Sequence, residues 1–206
     1  SITNPSGGDG NWVTPFRMDP TTNTTLYVGY TNVYKSTNSG STWTDISTYS
    51  ASSNCDEIEI APSNSNYIIT RHSQTIYKTT DGGTTWSQCD GNLPNMPVRW
   101  AVFHPDADTK AIIATETGVW ETDLLNGSST VWEANPSFPN VKTTMLKYRA
   151  ADRTLVASTH GRGVWSTTIP APSGFTFSSP AAVTAACARF SRREIDLEAA
   201  SRSAIA

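Results

Sequence analysis

The chain has 206 residues, of which 16% are charged, and a formal net charge of −3 at pH 7. This length is enough for one domain with a hydrophobic core, and the slightly acidic balance argues against a nucleic-acid partner. No apolar run approaches the ~18 residues that a membrane-spanning helix needs, so we expect no membrane partner.

Residues 1–170 contain four consecutive units with a similar pattern of strands. A first, inner strand is predicted in each unit, near 11–18, 57–61, 98–104 and 142–148. A second strand is predicted near 26–30, 67–71, 111–115 and 154–158. Period-two alternation, β-branched and aromatic residues, and turns rich in Gly, Asn, Asp and Ser indicate that these strands are antiparallel.

A tight turn recurs after the third strand of the first two units. Ser36 to Trp43 reads Ser-Thr-Asn-Ser-Gly-Ser-Thr-Trp, and Thr79 to Trp86, 43 residues later, reads Thr-Thr-Asp-Gly-Gly-Thr-Thr-Trp. The Asx side chain can accept backbone hydrogen bonds, the central Gly can adopt a positive φ, and the Trp has a large face to bury. Recurrence at this interval predicts a repeat architecture.

The third and fourth units depart from this pattern. In the third, a longer turn at 122–127 precedes Trp132. The fourth ends after its third strand, at Ile169, and so lacks an outer strand. Residues 1–3 or 173–179 could supply that strand and close a four-unit ring. Alternatively, the chain is part of a longer one and completes itself by self-association.

The two recurring turns resemble the Asp-box, and the chain is similar to the Asp-box (BNR-repeat) β-propellers. That group includes sialidases, xyloglucan-cleaving glycosidases, sortilin-type receptors and photosystem assembly factors. The resemblance implies an all-β propeller of about four blade units, each a four-stranded antiparallel sheet. In these families the box lies on the outer edge of the blade, so it indicates the fold more than the function.

The domain boundaries follow from these patterns. Blades are predicted over 1–170, and a linker or closing strand over 171–187. From 188 to 206 the composition becomes helix-forming and mixed in charge. We expect there a short helix docked on the propeller or on a partner copy, or else a read-through segment.

The three cysteines leave one unpaired. Cys55 and Cys89 are predicted in consecutive loops on one rim, where they form either a disulfide or two half-buried thiols. Cys187 has no visible partner in the sequence.

Candidate site residues lie on the face that surrounds the channel of a propeller, where the resemblance places ligands. Loops entering the inner strands share this face with loops joining the second and third strands. The set mixes carboxylates, cations and aromatic rings, as sugar sites do. The candidate substrate-binding residues are Trp12, Tyr30, Arg71, His72, Arg99, Trp100, His160 and Arg162, and the candidate catalytic residues are Glu116, Asp9 and Asp56.

Glu116 is the first choice among the acids. The stretch 114–120 is similar to a loop of the xyloglucan-cleaving propellers that carries a catalytic Asp, here replaced by Glu. Asp9 lies in a glycine-rich loop that resembles one common in bacterial relatives. Paired carboxylates can divide general acid and base or nucleophile roles. The alternative is that Glu116 and Asp9 cap turns.

His160-Gly161-Arg162-Gly163 also resembles a segment found in the last blade of many bacterial Asp-box propellers. Its two cations could grip a carboxylate or a sugar hydroxyl. They could also bond to backbone carbonyls and join the last blade to the first.

The resemblance therefore implies a secreted or cell-surface bacterial module, similar to glycoside hydrolases, that binds a glycan or polysaccharide on the channel face. The alternatives are a non-catalytic binding or assembly propeller and a truncated enzyme fragment. We expect no cofactor and no zinc site, since three His and three Cys are scattered along the chain, while calcium stays open. A second copy of the chain is a candidate partner that would complete the propeller.

Overall fold

The structure is a computed structural model that describes residues 2–6 and 10–170, and the strands in this part form four sheets. The first sheet contains β1 (Phe16–Met18), β2 (Leu26–Gly29), β3 (Val33–Ser36) and β4 (Thr44–Asp45). The second contains β5 (Glu57–Ile60), β6 (Ile68–His72), β7 (Thr75–Thr79) and β8 (Ser87–Gln88). The third contains β9 (Val98–His104), β10 (Ala107–Thr115), β11 (Gly118–Thr122) and β12 (Glu133–Ala134), with a 3-10 turn at Gly127–Ser129. The fourth contains β13 (Thr143–Arg149), β14 (Thr154–Thr159) and β15 (Val164–Thr168).

Each sheet is an antiparallel meander in chain order, and we refer to the sheets as blades 1 to 4. The first strands of consecutive blades contact one another, β1 with β5, β5 with β9 and β9 with β13, so these inner strands lie around a common centre. This arrangement of blades is a β-propeller architecture, and the fold expected from the sequence is confirmed.

The first inner strand is shorter than predicted. It begins at Phe16 rather than near residue 11, because the Thr14 hydroxyl bonds to the carbonyl of Asn11 at 2.8 Å and folds residues 11–14 into a turn. Pro15 then joins the edge of the sheet only through its carbonyl, which accepts the Gly29 N–H at 3.0 Å. Proline cannot donate to a ladder, which explains its position at the start of the strand.

Buried apolar side chains fill the space between each consecutive pair of blades. Blades 1 and 2 enclose Tyr27, Ile58 and Ile68. A second cluster around Ile113 and Trp132 lies between blades 2 and 3, and a third, which includes Val102, Ile112, Leu146 and Leu155, lies between blades 3 and 4. A blade between two neighbours buries both of its faces, so its second strand contains consecutive buried residues, as at 68–70 in β6 and 111–115 in β10.

The two recurring turns, which we call the Asx turns (Ser36 to Trp43 and Thr79 to Trp86), have the same hydrogen bonds. Asn38 Oδ1 accepts the Thr42 N–H at 2.9 Å, and Asp81 Oδ1 accepts the Thr85 N–H at 2.8 Å. Hydrogen bonds from the side chain and backbone of Thr85 and from the Thr79 hydroxyl lower the pKa of Asp81 to about 2. The turns therefore close through the Asx side chain, as the sequence predicted.

In each of the first three blades, one tryptophan connects the blade to the chain segment that precedes it. The indole N–H of Trp86 donates to the carbonyl of Ile46 at 2.6 Å, and that of Trp132 donates to Cys89 at 2.8 Å. Trp43 makes the same kind of bond to Thr3, at 2.7 Å. Blade 3 has lost the short Asx turn but keeps the connection made by its tryptophan.

Blade 4 has three strands in the described part of the chain. Residues 2 and 3 lie against the turn of blade 1, where the Thr3 N–H donates to the Gly40 carbonyl at 2.9 Å. Ser1, the segment 173–179, the linker 171–187 and the tail 188–206 lie outside the described residues, so the predictions for them remain predictions. Within the described ranges, no helix has the length and apolar character needed to cross a membrane.

Cys55 and Cys89 are free, buried thiols, so the second of the two alternatives is correct. They belong to different apolar clusters, Cys55 between blades 1 and 2 and Cys89 between blades 2 and 3. Burial raises the pKa of the Cys55 thiol to about 12, and its Sγ donates to the Glu57 carbonyl at 3.0 Å. Cys187 lies outside the described residues.

Candidate functional site

The inner strands carry charged side chains toward the centre of the propeller. In Glu57-Ile58-Glu59-Ile60 the alternation of β5 places the isoleucines in the cluster between blades 1 and 2 and turns the two acids to the opposite face. Glu57 is 3% exposed, and its Oε2 accepts the Ala101 N–H at 2.7 Å. The carboxyl group thus links blade 2 to blade 3.

Burial controls the protonation of both acids. It raises the pKa of Glu57 to about 8, although the positive charges of Arg71 and Arg17 act in the opposite direction. Arg17 Nη2 lies 3.9 Å from Oε1, and Arg71 Nε lies 3.9 Å from Oε2, which are contacts too long to be hydrogen bonds. Burial likewise raises the pKa of Glu59 to about 7, against the charges of Arg17 and Lys147.

A first rim cluster forms where loops of blades 1 and 2 meet. Arg71 donates to Asp56 Oδ2 at 2.9 Å, and the Ser73 N–H donates to the same oxygen at 2.7 Å. The amide of Asn11 donates to Asp56 Oδ1 at 3.0 Å and to the Cys55 carbonyl at 3.1 Å. Both carboxylate oxygens of Asp56 are therefore occupied by groups of the protein.

A second rim cluster joins blades 3 and 4. Glu116 Oε1 accepts hydrogen bonds from Nε (2.6 Å) and Nη2 of Arg99, and Lys142 Nζ lies 3.8 Å from the same oxygen. The carbonyl of Lys142 accepts the His160 N–H at 2.8 Å. Among the described residues, the hydrogen bonds to this carboxylate all go to Oε1, so Oε2 is the oxygen available to a ligand.

Two predicted site residues lie against other aromatic side chains. His72 is 3% exposed, with Nε2 at 2.9 Å from the Tyr49 hydroxyl and Nδ1 at 2.9 Å from the Ser53 carbonyl. Burial lowers the pKa of His72. The ring of Tyr30 packs edge-on against that of Tyr34, with centroids 5.8 Å apart. The structure thus places His72 inside blade 2, whereas its neighbour Arg71 reaches the first rim cluster.

Three further candidates are exposed. Trp12 presents its whole ring to solvent, and His160 and Arg162 are also exposed. The half-buried Trp100 packs against the cluster between blades 3 and 4, and the guanidinium of Arg17 lies 5.9 Å from its ring centre. Asp9 lies outside the described residues.

Four charged residues of this face were missed as candidates from the sequence: Arg17, Glu59, Lys142 and Lys147. The alternation Glu-Ile-Glu-Ile in a predicted inner strand was the signal for Glu59, since both acids must share one face. Lys142 stands at the entry of an inner strand, which was one of the two loop classes expected on the site face. Within the described ranges, no group of three or more His, Cys, Asp or Glu is arranged to hold a metal ion.

Comparisons with known proteins agree with the architecture. The family model for Sortilin (neurotensin receptor 3), Sortilin-Vps10, matches residues 31–154, more than half of the chain. No curated protein matches the chain by sequence.

Solved structures resemble the chain in fold at low sequence identity. A GH74 enzyme from Niastella koreensis has a TM-score of 0.60 at 14% identity, over 80% of this chain and 24% of that one. The GH74 xyloglucanase from Xanthomonas campestris has a TM-score of 0.60 at 13% identity, over 82% of this chain and 30% of that one. YCF48 bound to D1 peptide has a TM-score of 0.53 at 17% identity, over 87% and 61%. The chain thus spans less than a third of the two GH74 chains, and these likenesses show the fold alone.

Proposed function

We propose that this chain, which belongs to the Sortilin-Vps10 family of β-propellers, binds a glycan on its channel face. The observation that supports this most is the second rim cluster, in which Arg99 and Lys142 surround Glu116 and leave one carboxylate oxygen available to a ligand. We also assign the Asx turns to the Asp-box type, because both close through the same hydrogen bonds.

The face offers the groups that sugars require. Sugar hydroxyls both donate and accept hydrogen bonds, and the cluster offers an acceptor on Glu116 and donors on Arg99 and Lys142. The apolar face of a sugar ring packs on aromatic rings, for which Trp12 is exposed and Trp100 half-buried. The likeness to GH74 enzymes supports the same ligand class by analogy of fold. A glycan ligand fits a secreted or cell-surface protein.

The geometry favours binding over hydrolysis. Glu116 and Asp56 both accept hydrogen bonds from arginines, which positions them as acceptors rather than as proton donors to a leaving group. Glu57 and Glu59, whose pKa values burial raises to about 8 and about 7, are the acids of this face best suited to hold a proton near neutrality.

A second candidate function is the binding of a peptide. It is favoured by His160 and Arg162, which are exposed beside two glycines around which an added Cβ would meet no atom within 4 Å. An imidazole and a guanidinium in open space can receive a peptide carboxylate. Two of the similar proteins are described with a peptide ligand. The matched family carries the name neurotensin receptor 3, and the YCF48 structure contains a bound D1 peptide.

Glu116→Gln tests the glycan proposal. This change removes the charge that balances Arg99 and Lys142, and we expect about 10- to 100-fold weaker binding of xyloglucan or mixed-linkage β-glucan, since hydrogen bonds to charged groups contribute about 1.5–3 kcal/mol. Binding is measured by affinity electrophoresis and calorimetry, and turnover by release of aryl groups from a panel of aryl glycosides.

Asp123→Asn is the matched control, because Asp123 forms an ion pair with Lys110 on the same blade but lies outside the rim clusters. The proposal predicts that the control binds like the wild type. It is contradicted if neither polysaccharide binds the wild type or if both variants lose affinity equally. Tight binding of neurotensin with no glycan binding would support the second candidate instead.

A further inference from the structure

Positive charge is concentrated on the channel face. Within residues 2–6 and 10–170, this face holds six of the eleven lysines and arginines but four of the fourteen aspartates and glutamates. Its cations are Arg17, Arg71, Arg99, Lys142, Lys147 and Arg162. Its acids are Asp56, Glu57, Glu59 and Glu116, and Asp9, outside these ranges, is a predicted fifth. The other described residues include five cations and ten acids, so a chain with a net charge of −3 has one basic face.

The protonation of two acids increases this imbalance. Burial raises the pKa of Glu57 to about 8 and that of Glu59 to about 7, so both carboxyl groups are largely neutral at pH 6. Glu57 is faced by Arg17 of β1 and Arg71 of β6, each 3.9 Å away, and by Glu59 of its own strand. The charges that act on Glu59 are those of Arg17 and of Lys147 on β13. At pH 6 the two acids therefore do not cancel these cations.

The other two acids balance only part of the remaining charge. Asp56 accepts a hydrogen bond from Arg71, and Glu116 accepts two from Arg99. Lys142 lies 3.8 Å from the same Glu116 oxygen, so two cations share one carboxylate. The channel face thus has more positive groups than its own acids can pair.

An aromatic ring lies among these cations. Trp100 follows Arg99 directly on β9 and is half-buried, and the guanidinium of Arg17 lies 5.9 Å from its ring centre. The side chain of Arg17 is 33% exposed. A sugar ring that packs on Trp100 would therefore lie beside a guanidinium, which pairs with a carboxylate through two parallel hydrogen bonds.

We infer that the glycan of the channel face is acidic, a polysaccharide that carries the carboxylates of uronic acids. This inference rests on the proposed function, because it states the charge of the ligand that this face binds. Several cations on one concave face attract a polyanion, and Trp100 adds a surface that only a ring can use. A neutral polysaccharide would leave the excess positive charge without a partner.

Two forms of one polysaccharide test the inference. Polygalacturonate carries a carboxylate on each sugar, whereas its fully methyl-esterified form has the same backbone without the charge. By calorimetry at pH 6 and low salt, we expect the acid to bind about 10-fold more tightly than the ester, or more. The difference should shrink as salt is added, since salt screens exposed charges.

Lys142→Gln and Lys147→Gln each remove one cation from the channel face. Each should weaken the binding of polygalacturonate by about 3- to 10-fold, because charge interactions at exposed sites are partly screened by water. Binding of the ester should not change. Lys110→Gln is the matched control: it alters the net charge equally, but Lys110 pairs with Asp123 outside the rim clusters, so this variant should bind like the wild type.

Equal affinity for the acid and the ester would overturn the inference and leave the glycan proposal intact. Losses of affinity in Lys142→Gln and Lys147→Gln no greater than in Lys110→Gln would also overturn it. So would polyglutamate that binds as tightly as polygalacturonate, because the face would then require charge without a sugar. If neither form of the polysaccharide nor xyloglucan binds, the proposed function itself fails, and this inference fails with it.

Discussion

Replacing Gly91 with alanine is expected to destabilise the protein by about 2–5 kcal/mol or more. The cost combines about 1–2 kcal/mol for a left-handed backbone conformation and about 1–3 kcal/mol or more for overpacking. Gly91 has φ +52°, and an added Cβ would lie 1.7 Å from the Thr130 carbonyl oxygen. That oxygen is a backbone atom, so it cannot move aside by a side-chain rotation.

The surroundings of Gly91 explain why the two segments approach so closely. The neighbouring Asn92 accepts the Trp132 N–H at 2.6 Å and donates to the Trp132 carbonyl at 3.0 Å, as a strand partner would. Trp132 in turn is 1% exposed between blades 2 and 3. A shift that accommodates the new methyl group must therefore disturb the joint between these blades.

Gly127→Ala separates the clash from the backbone strain. Gly127 has φ +55°, close to that of Gly91, but its nearest contact from an added Cβ is 3.8 Å away, on Ser87. This variant should lose only about 1–2 kcal/mol. Urea unfolding followed by tryptophan fluorescence measures both values, and equal losses in the two variants would show that the contact with Thr130 does not matter.

Glu57→Gln is expected to flatten the dependence of stability on pH between about pH 4.5 and pH 8. Burial raises the pKa of the folded carboxyl to about 8, whereas its ordinary value is 4.5. In this window the folded protein holds a proton that the unfolded chain releases, so rising pH favours unfolding. The contribution of Glu57 is fully present below pH 4.5 and is lost as the pH rises to 8, with a slope of up to about 1.4 kcal/mol per pH unit.

The comparison is made between unfolding free energies of the wild type and the variant at pH 5, 6, 7 and 8. Burial lowers the pKa of His72 and His104, which gives slopes of the opposite sign, but both proteins contain these groups and the difference isolates Glu57. A Glu57→Gln variant with the same slope as the wild type would mean that the buried carboxyl is already ionised.

For the candidate site, the sequence predicted which residues share a face but not which of them contact one another. Arg71, Arg99 and Glu116 were assigned to one face because strand order determines which strand ends and connections share a rim. Which cation would pair with which acid was not predictable, since Asp56 precedes β5 while Arg71 lies near the end of β6, and Glu116 also meets Lys142 of blade 4. His72 follows Arg71 directly in sequence, yet it turns inward to Tyr49, whose position depends on the path of a loop.

The sequence by itself determined the repeating unit of this protein. Period-two alternation, Asx and glycine turns, and a recurrence of 43 residues are local properties of the chain, and each blade is built from neighbouring segments. Only the tertiary structure decided the features that depend on how the blades meet. These are the free thiols of Cys55 and Cys89, the buried carboxyl of Glu57 and the exposed side chains of Phe16 and Met18. These features depend on the distance between segments some 40 residues apart and on what lies between them, and such distances are set by packing rather than by local preference.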